Sequence, residues 1–254
     1  MIDTHCHLNF PDHFPDVSST LDRAKKNLVD RVIVVGCDTD TSRIAVEVAE
    51  QHEAVYACVG WHPTYAAKYT QAELMAIEEL ARHPKTVAIG EIGLDYHWDY
   101  STPDEQRRAT TGHLALAVEL DMPVVFHCRE AYTDLLDWIE LLDPRPPAMA
   151  LHCFGGTTED AARGVALGCH FGVDGPITYK NADTLRDTIA TIPMDRLLLE
   201  TDAPYLTPHP YRGKANEPAM IPLINSRLAE LFAVTPAQMA AQTTLNAETI
   251  FWVK

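Results

Sequence analysis

The sequence predicts an α/β fold: a (β/α)8 TIM-type barrel forming a single domain over residues 1–254, with a C-terminal helical tail. Three observations point to it. Eight short, near-continuous apolar runs rich in β-branched residues alternate with longer helical patterns, as strands buried on both faces of a parallel sheet do. The chain's 254 residues match the roughly 250 such a barrel needs. Residues of metal-binding type recur at the C-terminal ends of the apolar runs, where these barrels carry their chemistry. One unbroken alternation favours a barrel over a doubly wound open sheet.

The expected strands are Met1–His5, Arg31–Gly36, Val55–Trp61, Thr86–Glu91, Pro123–His127, Ala148–His152, His170–Val173 and Arg196–Glu200. Between them, Thr39–Gln51 sets Ile44, Val48 and Ala49 on one helical face, and Thr70–His83 does the same with Leu74, Ile77, Leu80 and Ala81. Pro103–Leu120 carries start signals: Thr102 as N-cap, Pro103 in the first helical position and Glu105 where a capping box needs it. Tyr132–Leu142, Thr158–Leu167 and Ala182–Ile192 follow in the same way. A Pro-rich loop, Ala203–Pro222, precedes a helical tail to Lys254.

A hydrophobic fraction of 46% is ample for a core. The start at Met1-Ile2-Asp3 reads directly as strand and leaves no room for a signal peptide, and no apolar run approaches the roughly 18 residues of a membrane helix. A soluble, cytoplasmic protein is expected. The net charge of −16 argues against tracking along duplex nucleic acid, which calls for a basic face. The six cysteines form no Cys-x-x-Cys pair, which disfavours a zinc ribbon or thioredoxin-like site. Cys6, Cys128 and Cys153 each follow a candidate ligand, so strand alternation turns them outward, under the helices, as small hydrophobes.

Six candidate metal ligands end five strands: His5 and His7, Glu91, His127, His152 and Asp202. Positions i and i+2 of a strand face the same way, so His5 and His7 can reach one ion. Glu91 ends a buried strand and needs a partner, either a metal or an ion pair with Arg129. Asp202 is suited both to ligate a metal and to take a proton from attacking water. Glu200, on the same side of its strand, is expected behind the ligands, as is Asp3, which either hydrogen-bonds a ligand or supports the strand. His62 is expected to contact substrate or hydrogen-bond the site. No G-x-S-x-G elbow, Walker loop or G-x-G-x-x-G is present, so a metal must generate the nucleophile by acidifying water.

Together the motifs resemble the TatD family of metal-dependent deoxyribonucleases, within the amidohydrolase-like metallohydrolases. The likeness runs from Asp3-Thr4-His5-Cys6-His7 through Gly60-x-His62-Pro63, Gly90-Glu91-Ile92-Gly93-Leu94-Asp95-Tyr96, His127-x-Arg129, His152-x-Phe154 and Glu200-Thr201-Asp202-Ala203-Pro204-Tyr205 to Arg212-Gly213-Lys214-x-Asn216-Glu217-Pro218 and the Asn246 region. The resemblance implies a site for one or two ions. His5, His7, Glu91 and Asp202 would serve one; Glu91, His127 and His152 the other, with Glu91 bridging. No strand-end lysine is placed to be the carboxylated bridge of the wider group. Family members are associated with removing nucleotides from DNA ends, and some with hydrolysing D-aminoacyl-tRNA esters.

The residues themselves support metal-assisted hydrolysis and leave the substrate open. Paired ions suit a phosphodiester, but also an ester or amide. Arg129, Lys180, Arg212 and Lys214 follow strands five, seven and eight and are expected to form a basic collar that grips a phosphate-bearing end. The leading expectation is a deoxyribonuclease of 3'-5' exonuclease type, with Asp202 and Glu91 catalytic and nucleic-acid ends, chiefly single-stranded DNA, as substrate. The alternative is an ester or amide metallohydrolase, such as a D-aminoacyl-tRNA deacylase acting on aminoacyl-tRNA. A non-enzymatic scaffold is disfavoured, because a structural site is closed and this one has surplus ligands. The cofactor expectation is one or two divalent ions, with Mg, Mn, Zn, Ni and Fe all compatible. No membrane and no obligate protein partner is expected.

Overall fold

The computed structural model describes residues 1–252. Eight parallel strands run in chain order: β1 (Ile2–Cys6), β2 (Arg31–Val35), β3 (Val55–Val59), β4 (Thr86–Asp95), β5 (Val124–Arg129), β6 (Met149–Leu151), β7 (His170–Val173) and β8 (Leu197–Leu199). The ends of the sheet meet. Cys6 bridges Ala203 in parallel, the Asp202 amide donates to His5 O at 2.9 Å, and the His7 amide donates to Ala203 O at 2.8 Å. This seam makes the (β/α)8 barrel.

The helices α1 (Val17–Lys26), α2 (Thr39–Gln51), α3 (Gln71–Ala81), α4 (Pro103–Glu119), α5 (Tyr132–Leu141), α6 (Thr158–Ala166) and α7 (Asp183–Ile189) lie between successive strands, and α8 (Ile221–Leu231) and α9 (Pro236–Phe251) follow β8. Thr102 and Glu105 form the expected capping box of α4. No helix was expected between the first two strands, and α1 corrects that: its apolar positions are sparse, and the Asp16 side chain, accepting from the Ser19 amide, marks its start.

Strand alternation divides the core in two. On β2, β5, β6 and β8 the residues Val32 and Val34, Val124 and Phe126, Met149 and Leu151, and Leu197 and Leu199 pack in the main cluster with the helices. Their neighbours Ile33 and Val35, Val125, Ala150 and Leu198 form a second cluster inside the barrel. Ala247, Ile250 and Phe251 of α9 pack against this inner cluster. The same period of two carries the inner face onward to Cys37, His127, His152 and Glu200. β4 runs to Asp95, four residues past the expected end, so Glu91 lies within the strand. Its register shifts between Ile89 and Ile92. Beyond that shift Ile92 and Leu94 pack in the main cluster, which leaves Glu91, Gly93 and Asp95 for the inside.

Candidate metal centre

Five of the eight strands send the candidate ligands toward the mouth. β1 supplies His5 and His7, β4 Glu91, β5 His127 and β6 His152; Asp202 follows β8 in a left-handed backbone conformation (φ 54°) that aspartate tolerates. His5, His7, Glu91 and His152 are buried. Glu91 divides its two oxygens between two histidine pairs. Its Oε1 lies 3.8 Å from His5 Nε2 and 3.7 Å from His7 Nε2; its Oε2 lies 3.5 Å from His127 Nδ1 and 3.3 Å from His152 Nε2. Asp202 Oδ1 completes the first group, 3.3 Å from His7 Nε2 and 3.8 Å from His5 Nε2.

The surrounding groups fix these rings. His7 Nδ1 lies 2.9 Å from Val35 O, which turns Nε2 toward the two carboxylates. His127 Nε2 lies 3.0 Å from Asp95 Oδ2, so Nδ1 faces Glu91. His152 Nδ1 approaches Glu200 Oε1 at 3.4 Å, and that oxygen accepts from the Cys153 amide at 2.5 Å. Glu200 needs the space left by Gly172: a Cβ there would stand 2.2 Å from Glu200 Oε2. Gly93 (φ 141°) lets β4 pass β5, since a Cβ there would stand 2.1 Å from His127 O.

His5 decides whether a cation fits. Its side chain is fully buried, stacked on His152 with centroids 3.8 Å apart, and neither ring nitrogen has a hydrogen-bond partner. Orphaned buried polar atoms are costly, and a cation between His5 Nε2 and the two carboxylates would satisfy one of them. Donor atoms of His5, His7 and Asp202 lie within 4.8 Å of one another, as do those of His62, Glu91 and His127, and of His5, His152 and Glu200. Imidazole with carboxylate suits a divalent transition metal.

Among the candidate ligands the carboxylates are held ionised and His5 and His152 neutral, whereas His7, against burial, is raised well above its ordinary value by Cys37, Asp202 and Glu91. Burial opposes ionisation of Glu91, but His62, His5 and the hydrogen bond with His127 hold it well below the usual carboxylate range. Asp202 is likewise lowered against its burial, chiefly by His7. Burial and the neighbouring His152 lower His5; burial also lowers His152, and burial with His127 takes His62 to about 3. His127 is held at about 9, against burial, by Asp95 and Glu91. Burial raises Glu200 to about 7 and Asp3 to about 7.

The structure also places the remaining expected residues. Asp3 supports the strand: its carboxylate accepts from Thr201 Oγ1 at 2.6 Å, from the Thr201 amide at 3.0 Å and from the His5 amide at 3.3 Å, and touches no imidazole. His62 Nε2 lies 3.1 Å from His127 Nδ1, inside the cluster. Arg129 is exposed and lies over Trp98, 5.7 Å from the ring centroid, so it is no ion-pair partner of Glu91. The basic collar is divided. Arg212 and Lys214 line a cavity of about 450 Å³ with Tyr179, Tyr205 and Thr207; Arg129 and Lys180 do not line it. Arg212 stacks 4.0 Å over Tyr179, and Tyr205 meets the edge of His7, which puts this cavity beside the centre. Cys6 and Cys128 pack outward as expected, whereas Cys153 is half-buried at a left-handed position (φ 46°).

Three groups escaped the sequence reading. Asp95 orients His127. Cys37 follows β2, with Sγ 3.5 Å from Glu91 Oε1 and 3.8 Å from His7 Nδ1. Asp174 follows β7, fully enclosed, where burial and Glu200 push its carboxyl far up. The signal for all three was the rule that revealed the histidines, a polar residue at or past the end of an apolar strand.

A (β/α)8 barrel with this cluster at its mouth is the framework of a metal-dependent hydrolase. The family described as TatD related DNase matches residues 2–252. The uncharacterized metal-dependent hydrolase YabD of Bacillus subtilis strain 168 is 40% identical, covering 99% of this chain and 98% of its own. The 3'-5' ssDNA/RNA exonuclease TatD of Shigella flexneri is 36% identical over 100% of this chain and 99% of its own. The crystal structure of YJJV, a TatD homologue from Escherichia coli K12, superposes with a TM-score of 0.94 at 33% identity, covering 100% of this chain and 98% of that one. The chain belongs to the TatD family and is a metal-dependent hydrolase. Among the described residues no helix is long and apolar enough to cross a membrane.

Proposed function

We propose that this hydrolase is an exonuclease that removes nucleotides from the 3' end of single-stranded nucleic acid. The observation that carries this reading is Glu91, with one oxygen toward His5 and His7 and the other toward His127 and His152. Such a carboxylate suits two ions, and paired ions suit in-line displacement at a phosphodiester. The relative from Shigella flexneri, named a 3'-5' ssDNA/RNA exonuclease, supports the substrate class.

In this reading His5, His7, Glu91 and Asp202 would hold one divalent ion, and Glu91, His127 and His152 would hold a second. When bound, the ions supply charge stabilisation at the scissile phosphate and acidify the attacking water. Asp202, kept ionised by His7, accepts the water's proton at its carboxylate. Asp95 holds the His127 ring with Nδ1 toward Glu91, and Glu200 backs His152. Asp3 ties the end of β8 to β1, which keeps Asp202 beside His7. His62 borders Glu91 and His127 as a neutral imidazole that hydrogen-bonds within the site, its Nε2 3.1 Å from His127 Nδ1 and its Nδ1 2.6 Å from Thr64 Oγ1. Arg212 and Lys214 give the neighbouring cavity its charge for phosphate.

The test is a purified-protein assay with Mg, Mn, Zn or Ni against end-labelled single-stranded DNA, RNA, duplex DNA and a D-aminoacyl-tRNA. Stepwise shortening from the 3' end, abolished by a chelator, is expected. Ester hydrolysis without nucleotide release would replace this reading with a deacylase. Arg212→Ala gives an independent check: its KM for DNA should rise, the salt slope of binding should shrink by about one unit or less, and a neutral ester should be unaffected.

A further inference from the structure

The loop joining β4 to α4 presents two aromatic rings that the hydrolytic centre does not use. Trp98 is 43% exposed and Tyr100 65% exposed. Their rings are stacked, with centroids 5.6 Å apart and planes 10° apart. Tyr65, Tyr205 and Tyr211 are exposed as well, and the Trp98–Tyr100 pair differs from them in being stacked ring on ring.

The loop is held rigidly, and by a carboxylate of the centre. Asp95 Oδ1 accepts from the amides of His97 at 2.9 Å and Trp98 at 3.0 Å, while Oδ2 lies 3.0 Å from His127 Nε2. At the far end buried Ser101 donates to Thr64 O at 3.1 Å and accepts from the Ala67 amide at 3.0 Å. The Gln106 side-chain amide donates to both Asp95 O and Ser101 O, at 2.8 and 3.1 Å. Both ends of the loop are therefore fixed, and its exposed tip is His97, Trp98, Asp99 and Tyr100. The Arg129 guanidinium lies over the Trp98 ring, 5.7 Å from its centroid, and the His97 ring meets Trp98 edge-on with centroids 4.8 Å apart.

We propose that Trp98 and Tyr100 form a stacking platform for an unpaired base of the substrate strand, with Arg129 meeting an adjoining phosphate. The inference rests on the nucleic-acid reading above and adds the residues that would hold the strand's bases. A chain of net charge −16 cannot hold a polyanion through its overall field. Stacking supplies affinity that tolerates any base, because every base has a π-face. Bases within a duplex are already stacked on one another, so the platform favours single strands. Two rings bordered by Asp99, Arg129 and Glu130 are too small and too charged for a stable protein interface, which needs about 800 Å² per partner.

The experiment compares wild type, Trp98→Ala, Tyr100→Ala and Trp98→Phe, each with metal, on a short single-stranded DNA and on an abasic strand of the same length. Trp98→Ala and Tyr100→Ala should each raise KM for the normal strand about tenfold, the scale of one lost base–aromatic stack. The kcat should change far less, the abasic strand should show no comparable rise, and Trp98→Phe should restore most of the KM. Circular dichroism establishes that each variant is folded. A normal KM in the alanine variants, or an equal rise on the abasic strand, overturns the platform and leaves the exonuclease reading standing. A wild-type protein that neither binds nor shortens DNA overturns both.

Discussion

Asp95 Oδ2 lies 3.0 Å from His127 Nε2, and this contact turns His127 Nδ1 toward Glu91. A carboxylate behind a ligating imidazole fixes the ring's tautomer and raises its basicity. The same side chain anchors the amides of His97 and Trp98, so one residue ties a proposed metal ligand to the loop at the mouth. Asp95→Asn should lower affinity for the ion held by His127 about 10- to 100-fold, measured by competition with a chelating dye. Wild-type affinity in a folded variant would mean that His127 is either no ligand or independent of Asp95.

Removing Glu91 tests the bridge. Glu91→Ala should cut turnover by about 10²-fold or more, at least as far as His127→Ala or His152→Ala, because both histidine pairs lose their shared carboxylate. The fold should persist, since the two apolar clusters lie among the strands and helices. Elemental analysis should show loss of bound metal. A folded, metal-replete variant with near-normal turnover would end the bridging assignment.

Asp202 can be separated into ligand and base. Asp202→Asn keeps an oxygen for the metal but cannot accept a proton, so kcat should fall by roughly 10²-fold or more, while metal content falls less than in His5→Ala. If excess metal restores the full rate, Asp202 serves as a ligand alone.

His113 makes acid stability predictable away from the centre. It is fully buried on α4, with Nδ1 2.8 Å from Ala109 O and Nε2 unpartnered, and burial lowers it from 6.5 to about 4. The unfolded chain therefore takes up this proton first as pH falls. The contribution of His113 is fully present above about pH 6.5 and is lost as pH falls from there through about 4, by roughly 3 kcal/mol. His113→Leu should flatten this part of the stability profile, as read by urea unfolding at a series of pH values. Parallel profiles for the two proteins would show that His113 does not titrate in this way.

The barrel and most of its centre were legible because both follow from a period of two. An apolar strand buried on both faces and ending in histidine or carboxylate can be recognised from a few neighbouring residues, which exposed His5, His7, Glu91, His127, His152 and Asp202. Cys37, Asp95 and Asp174 escaped the same rule: Cys37 reads as a small hydrophobe, Asp174 reads as the cap of the Gly175–Thr178 turn, and β4 passes through two glycines before Asp95. Helix α1 was obscured by too few apolar positions to set a period.

The chain order of apolar runs thus determined the (β/α)8 architecture and which residue types stand at the mouth. Closure of the barrel decided how they meet: that each oxygen of Glu91 faces a different histidine pair, that Asp3 braces Thr201 across the seam, and that Arg212 and Lys214 share a cavity from which Arg129 and Lys180 are separate. Periodicity is a local property of the backbone and can be read from a short stretch of sequence. The distance between residues 5, 91 and 202 depends on how eight strands twist and close, and loop side chains such as Arg129 settle on whatever surface, here Trp98, that closure leaves beside them.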